Sequence, residues 1–271
     1  WAWFRQPSGI SDDAENIDNL PPKYYDNMMP GKDKEWINVY VHGRYGFVSE
    51  GNPVFPEYND DVHYSQHVLE PVKDETIYIG IDFGLTPAAT FAQEINGQWR
   101  FLDEVTSRDM GALRFGEVLG KHMRHHYRGH PLVITGDPAG EQRAQTDERT
   151  PFEILNALGI DADPAHTNDA TIRRETMAKQ MTRMTFTGEP GFIIGPNCKM
   201  LRKGLAGGYK FRRMQVSGEE KYVDKPDKNI YSHVCESAEY LLLGAGEDDS
   251  LLGNDKQDWD LDYSELNRAA V

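Results

Sequence analysis

A chain of 271 residues has room for one large domain or two modest ones, and 38% hydrophobic with 27% charged residues is a globular composition, not a disordered or collagen-like one. No apolar run approaches the roughly 18 residues of a membrane span, and Cys198 and Cys235 are spaced for neither a zinc finger nor a disulfide framework, which points to a reducing cytosol. The net charge of −15 argues against a nucleic-acid partner taken as a total, because affinity for phosphate backbones comes mainly from Lys and Arg.

Along the chain, residues 1–75 read as loop-rich, with Pro7, Pro21-Pro22, Pro30-Gly31 and Pro53, and one strand-like run at 36–40. The opening Trp1-Ala2-Trp3-Phe4, without an initiator Met, predicts a piece of a longer protein. A compact domain is expected over 76–245. Its first strand is the β-branched run Ile77-Tyr78-Ile79-Gly80-Ile81-Asp82. Strands follow at 88–95 and 98–105, joined by an Asn96-Gly97 hairpin turn. Helical spacing at 109–126 puts Leu113, Val118, Leu119 and Met123 on or near one face. Leu132-Val133-Ile134-Thr135-Gly136-Asp137 is a second buried strand ending in an acid. Thr150-Pro151-Phe152-Glu153 is a capping box that starts a helix closed by Gly159.

A short strand near Ile160, a helix at 169–184 and a strand at 192–194 come next. Runs at 209–215 and 221–224 predict a charged hairpin, 230–243 a last helix, and 246–271 an acidic, frayed tail. Three antiparallel strands, helix, parallel strand, helix, strand, helix is the order of a ribonuclease-H-like α/β domain: a central mixed sheet flanked by helices, here with an added charged β-hairpin.

Two independent buried strands end in acids, Asp82 and Asp137. In an open α/β sheet ligands gather beyond the carboxyl ends of strands. Two carboxylates there repel each other unless a proton or cation lies between them. Oxygen-only ligands favour Mg²⁺ or Mn²⁺ over zinc. For one such Asp a turn-capping role is the better reading; for the pair the metal site is favoured. The last helix offers further groups. His233, Glu236 and Tyr240 share roughly one face, while Val234, Ala238 and Leu241 form the face expected to pack on the sheet. His233 reads equally as a cap-region histidine. Glu239, the rival acid, is expected towards solvent.

Charge is uneven. Residues 173–228 carry 13 basic and 6 acidic side chains inside an otherwise acidic chain. Within them Arg173, Lys179, Arg183, Arg202, Lys203, Lys210, Arg212 and Arg213 are candidates to track DNA phosphates. A solvated helix and hairpin explain the same composition.

The sequence also resembles the C-terminal nuclease domain of the large subunit of the viral DNA-packaging terminase of tailed bacteriophages. Three motifs carry the resemblance: Gly80-Ile81-Asp82-Phe83-Gly84, Gly136-Asp137-Pro138-Ala139-Gly140 and Ser232-His233-Val234-Cys235-Glu236. Phe4-Arg5-Gln6-Pro7-Ser8-Gly9 and Leu20-Pro21 resemble the segment that joins ATPase to nuclease, and Gly51-Asn52-Pro53-Val54-Phe55-Pro56 resembles the approach to the nuclease. The third acid of that family is usually Asp, and Glu236 stands in its place. No Gly-x-x-x-x-Gly-Lys-Ser/Thr phosphate loop occurs.

The resemblance implies that 1–75 is a linker after an absent ATPase domain. It implies an endonuclease acting on double-stranded viral DNA by two-metal-ion hydrolysis, with Asp82, Asp137 and Glu236 as ligands to two Mg²⁺ or Mn²⁺ ions and His233 beside them. It further implies portal protein and small terminase subunit as partners of the intact motor, in the host cytoplasm and away from membranes. Two other classes compete. Asp82-Phe83-Gly84-Leu85-Thr86 resembles the first phosphate loop of actin- and sugar-kinase-type ATPases, and a non-catalytic docking module for capsid or portal would use the acids as structural turns.

Overall fold

A computed structural model describes residues 7–14, 17–30, 34–43, 51–84, 86–141, 149–213, 222–249 and 251. Its first helices are short: α1 (Tyr24–Met28), α2 (Lys34–Tyr40) and, beyond strand β1 (Gly51–Pro53), α3 (Asp60–His63). The run expected as a strand at 36–40 is therefore helical. Trp36 and Tyr40, one turn apart, pack ring against ring with centroids 4.8 Å apart, a contact that only the helical period allows.

The central sheet has six strands: β2 (Ile77–Asp82), β3 (Ala88–Ile95), β4 (Gln98–Thr106), β5 (Leu132–Gly136), β6 (Asp163–Pro164) and β7 (Phe192–Ile194). Their spatial order is β6-β5-β2-β3-β4-β7. β2, β3 and β4 form an antiparallel meander, whereas β5 runs parallel to β2, β6 to β5 and β7 to β4. The Asn96-Gly97 turn has positive φ at both residues, 54° and 81°, as a tight hairpin between right-twisted strands requires.

Side chains alternate across the strands and feed two cores. Ile77, Ile79, Ile81, Phe91 and Ile134 pack under α4 (Ala112–His126) and α5 (Pro151–Ala157). Ala88, Ala92, Trp99, Phe101 and Phe192 pack on the opposite face under α6 (Ala170–Thr182), α7 (Lys199–Lys203) and α8 (Ser232–Gly244). The result is a three-layer α/β/α domain.

Several local expectations match, among them the capping box of Thr150 and Glu153 with Pro at the start of α5. The buried face of α4 differs. Phe115, Leu119 and Met123, spaced four residues apart, face the sheet, and Leu113 and Val118 are exposed. The bulky i, i+4, i+8 stripe outweighs the looser set read from sequence.

The charged hairpin exists as β8 (Lys210–Arg213) and β9 (Tyr222–Pro226), antiparallel to each other; its tip at 214–221 lies outside the described residues. It does not stand alone, because β1 pairs with β8 to complete a three-stranded sheet. Val54 and Phe55, just past β1, are buried in the core under α8. Packing of the domain thus begins well before residue 76. At the other end Glu247 accepts hydrogen bonds from Trp99 Nε1 and Gln180 Nε2, both at 2.8 Å, and Asp248 is buried beside His166. The first residues of the acidic tail are therefore anchored, and 252–271 lie outside the described residues.

Candidate active site

Two adjacent parallel strands deliver the strand-end acids side by side. Ile81 of β2 is registered with Gly136 of β5, and the Asp137 amide donates to the Ile81 carbonyl at 2.9 Å. α8 lies across the same strands. It comes so close to β2 that a Cβ on Gly80 would sit 1.8 Å from the Ser237 carbonyl oxygen, a separation only glycine permits. The helix start is fixed by Asn229, whose Oδ1 accepts from the amides of Tyr231 (2.8 Å) and Ser232 (3.2 Å). Close packing and a fixed start place His233 and Glu236 over the end of β2.

His233 Nδ1 lies 2.6 Å from Asp82 Oδ2. Asp137 Oδ1 accepts from the Ala139 amide (2.9 Å) and from Asn168 Nδ2 (3.2 Å), and Asn168 is itself held by the Tyr240 hydroxyl at 2.7 Å. Glu236 accepts from the Tyr209 hydroxyl at 3.1 Å through Oε1 and from the Lys228 ammonium through Oε2. Asp82 is 2% exposed, Asp137 8%, Glu236 3% and Glu239 2%.

Burial pushes the Asp82 carboxyl up to about 6; the His233 hydrogen bond pulls it down and the Glu236 charge adds to the rise. The hydrogen bond to Asp82 in turn raises the His233 imidazole above its ordinary value, against the pull of burial. Burial pushes Glu239 up to about 8, opposed by Arg173.

The rival acid is not solvated as expected. α8 is buried on all sides, and Glu239 points towards α6, where Arg173 Nη1 sits 3.0 Å away. Glu236 faces Asp82 and Lys228, and the same Arg173 nitrogen lies 3.8 Å from its Oε2. Arg173, read as a phosphate contact, is 6% exposed, with its guanidinium 4.8 Å from the Tyr240 ring centroid; it joins α6 to α8.

Other members of the basic set are also engaged. Arg202 forks onto Asp60 and stacks 3.4 Å from the Tyr64 ring centroid, Arg212 pairs with Asp227, and Arg183 lies 3.9 Å from Glu247. Lys203 is exposed, Lys179 and Lys210 are half-buried, and the Arg213 side chain lies outside the described residues. Sequence reasoning missed Lys228, Tyr209 and Asn168. Asn168 had a signal, its place beside the helix-capping Asp169; Lys228 and Tyr209 had none, because only the fold brings them to α8.

Donor chemistry fits a hard divalent cation at the aspartates. Asp82 is held through Oδ2 and Asp137 through Oδ1, and Asp82 Oδ1 makes no hydrogen bond among the described residues. Both oxygens of Glu236 already have donors. Among the described residues, no three His, Cys, Asp or Glu side chains converge as a ready ligand cage.

The sheet order and the helices on both faces make this a ribonuclease-H-like fold, and among solved structures that fold is matched in phage large terminases. The large terminase of a thermophilic bacteriophage aligns with a TM-score of 0.51 at 15% identity, covering 86% of this chain and 52% of that one. The nuclease domain of the phage P22 large terminase aligns with a TM-score of 0.50 at 12% identity, covering 71% of this chain and 92% of that domain. This chain has the fold of the large-terminase nuclease domain and spans about half the length of the thermophilic-phage terminase. No protein-family model and no curated protein matches the sequence.

Proposed function

We propose that the chain is a divalent-metal-dependent endonuclease that cuts double-stranded viral DNA during genome packaging. The observation that carries this reading is the pairing of Asp82 and Asp137 at neighbouring parallel strand ends, with His233 and Glu236 brought over them by α8. Asp82 and Asp137 would hold Mg²⁺ or Mn²⁺, with Glu236 completing the set once Lys228 yields its place. Such ions supply a water of lowered pKa and stabilise a leaving oxygen in phosphodiester hydrolysis, two ions serving both ends of an in-line displacement.

The chain's own residues set the geometry. His233 holds the Asp82 carboxylate through Nδ1, Ala139 and Asn168 hold Asp137, and Tyr209 holds Glu236. Lys228 keeps a positive charge beside these acids. Among the described residues nothing resembling a base-reading helix lies at the site, which suits cutting without base-specific readout.

On this reading residues 1–75 begin as a linker from an ATPase domain, and the intact protein is also the packaging ATPase, meeting portal and small terminase subunit in the host cytoplasm. The test is nicking of supercoiled plasmid by the chain with Mg²⁺ or Mn²⁺ and with EDTA. Cleavage should require the metal, and Asp82→Asn and Asp137→Asn should each lose more than about a hundredfold, beyond what loss of a supporting partner costs. A folded Asp82→Asn protein that nicks at the parent rate overturns the reading.

A further inference from the structure

The acid-bearing edge of the sheet continues past Asp82. Ala88 opens β3 opposite Asp82, and Thr106 closes β4 opposite Ala88, so the end of β4 lies two strands along the same edge, roughly 10 Å from β2 at ordinary strand spacing. A cavity of about 240 Å³ opens there. Its polar wall is made by Thr86, Thr106, Ser107 and Arg108, and His233, the partner of Asp82, forms the side it shares with the acid site.

Three features set this cavity apart in an acidic molecule. Among the described residues no carboxylate lines it. The nearest acid on β4, Glu104, does not line it, and both its oxygens accept, from the amides of Met200 and Leu201 at 2.6 and 2.8 Å. Arg108 is exposed and makes no ion pair or hydrogen bond among the described residues, unlike Arg173, Arg202 and Arg212. The segment that carries it is nevertheless fixed, since the Ser107 amide and hydroxyl both donate to the Pro87 carbonyl, at 3.2 and 2.8 Å.

We propose that this cavity seats a backbone phosphate of the nucleic-acid strand being cut, a few nucleotides from the scissile bond, with Arg108 as the charged contact and the hydroxyls of Thr86 and Thr106 as donors. The inference rests on the nuclease reading and adds a residue that positions substrate. A guanidinium fork matches phosphate geometry, and hydroxyls donate to its remaining oxygens. A strand lying along the sheet edge would cross Asp137, Asp82 and this cavity in turn, so a phosphate held here sets which bond lies over the acids.

The test uses the 271-residue chain carrying Asp82→Asn, kept in EDTA, with fluorescence anisotropy of labelled duplex DNA across a salt series. Arg108→Ala should weaken binding about tenfold and make the slope of log affinity against log salt shallower by about 0.9, the value for one phosphate contact. Arg108→Lys should restore the slope with only part of the affinity. Inorganic phosphate should compete only weakly with DNA, since one seat is a small part of the contact; strong competition would assign the cavity to a free anion and overturn the proposal.

Unchanged affinity and slope in a folded Arg108→Ala protein also overturn it. If the parent nicks plasmid while Arg108→Ala binds as before, the seat falls and the nuclease reading stands. If binding depends on Arg108 but no metal supports cleavage, the nuclease reading falls instead.

Discussion

The acid cluster and the basic segment were both visible as charge patterns, and the fold treated them in opposite ways. Asp82 and Asp137 are 55 positions apart in sequence and become neighbours because β2 and β5 pair in parallel. The basic side chains of 173–228 are close in sequence, yet folding disperses them: Arg173 goes inward to Glu239, Arg202 to Asp60, Arg212 to Asp227 and Lys228 to Glu236. An excess of cations counted along a chain is thus not a free positive surface. An acid at the end of a buried strand, by contrast, has its position set by the strand itself.

The same contrast separates the pairs energetically, and stability measurements can sharpen it. The largest effect is expected at Arg173. Arg173→Met removes the buried cation that lies 3.0 Å from Glu239 and 3.8 Å from Glu236, and chemical denaturation at pH 9, above the raised Glu239 value of about 8, should show a loss of about 3 kcal/mol. Glu239→Gln should leave metal-dependent cleavage near the parent rate, because its partner is α6 and not the strand ends. If that variant is the inactive one, the division between Glu236 and Glu239 is wrong.

A middle-sized effect is expected at Asp82. Its folded pKa of about 6 lies above the ordinary 3.8, so between those values the folded protein binds more protons and stability falls as pH rises. His233 acts with the same sign, since its raised pKa contributes stability that is present below about 6.5 and is lost as pH climbs through the folded value. Asp82→Asn removes both slopes. Thermal melts from pH 4 to pH 8 should be flatter than the parent's, with the variant more stable at pH 7.5 by roughly 2 kcal/mol after allowing for the weakened His233 bond. A parent curve that rises over pH 4–6 would contradict this sign.

The smallest effect belongs to Arg212. Its side chain is 71% exposed, and its pair with Asp227 is screened by water, so Arg212→Ala should change stability by less than about 1 kcal/mol. Equal losses at Arg173 and Arg212 would erase the distinction between buried and surface pairs.

Local patterns determined much on their own. The β-branched run 77–82, the Asn-Gly turn and the Thr150 capping box each depend on near neighbours in sequence, and each formed as its residues dictate. Asp82 and Asp137 were legible for the same reason, as acids that end buried runs. Tertiary structure alone decided what depends on contacts between distant segments. It joined β1 to β8 and chose the Phe115-Leu119-Met123 face of α4. It also buried Glu239 against Arg173 and brought Lys228 and Tyr209 to Glu236. The physical reason is range. Propensity, capping and turn chemistry act over a few residues, whereas the partner of a buried charge is fixed by how sheet and helices pack, which no local pattern encodes.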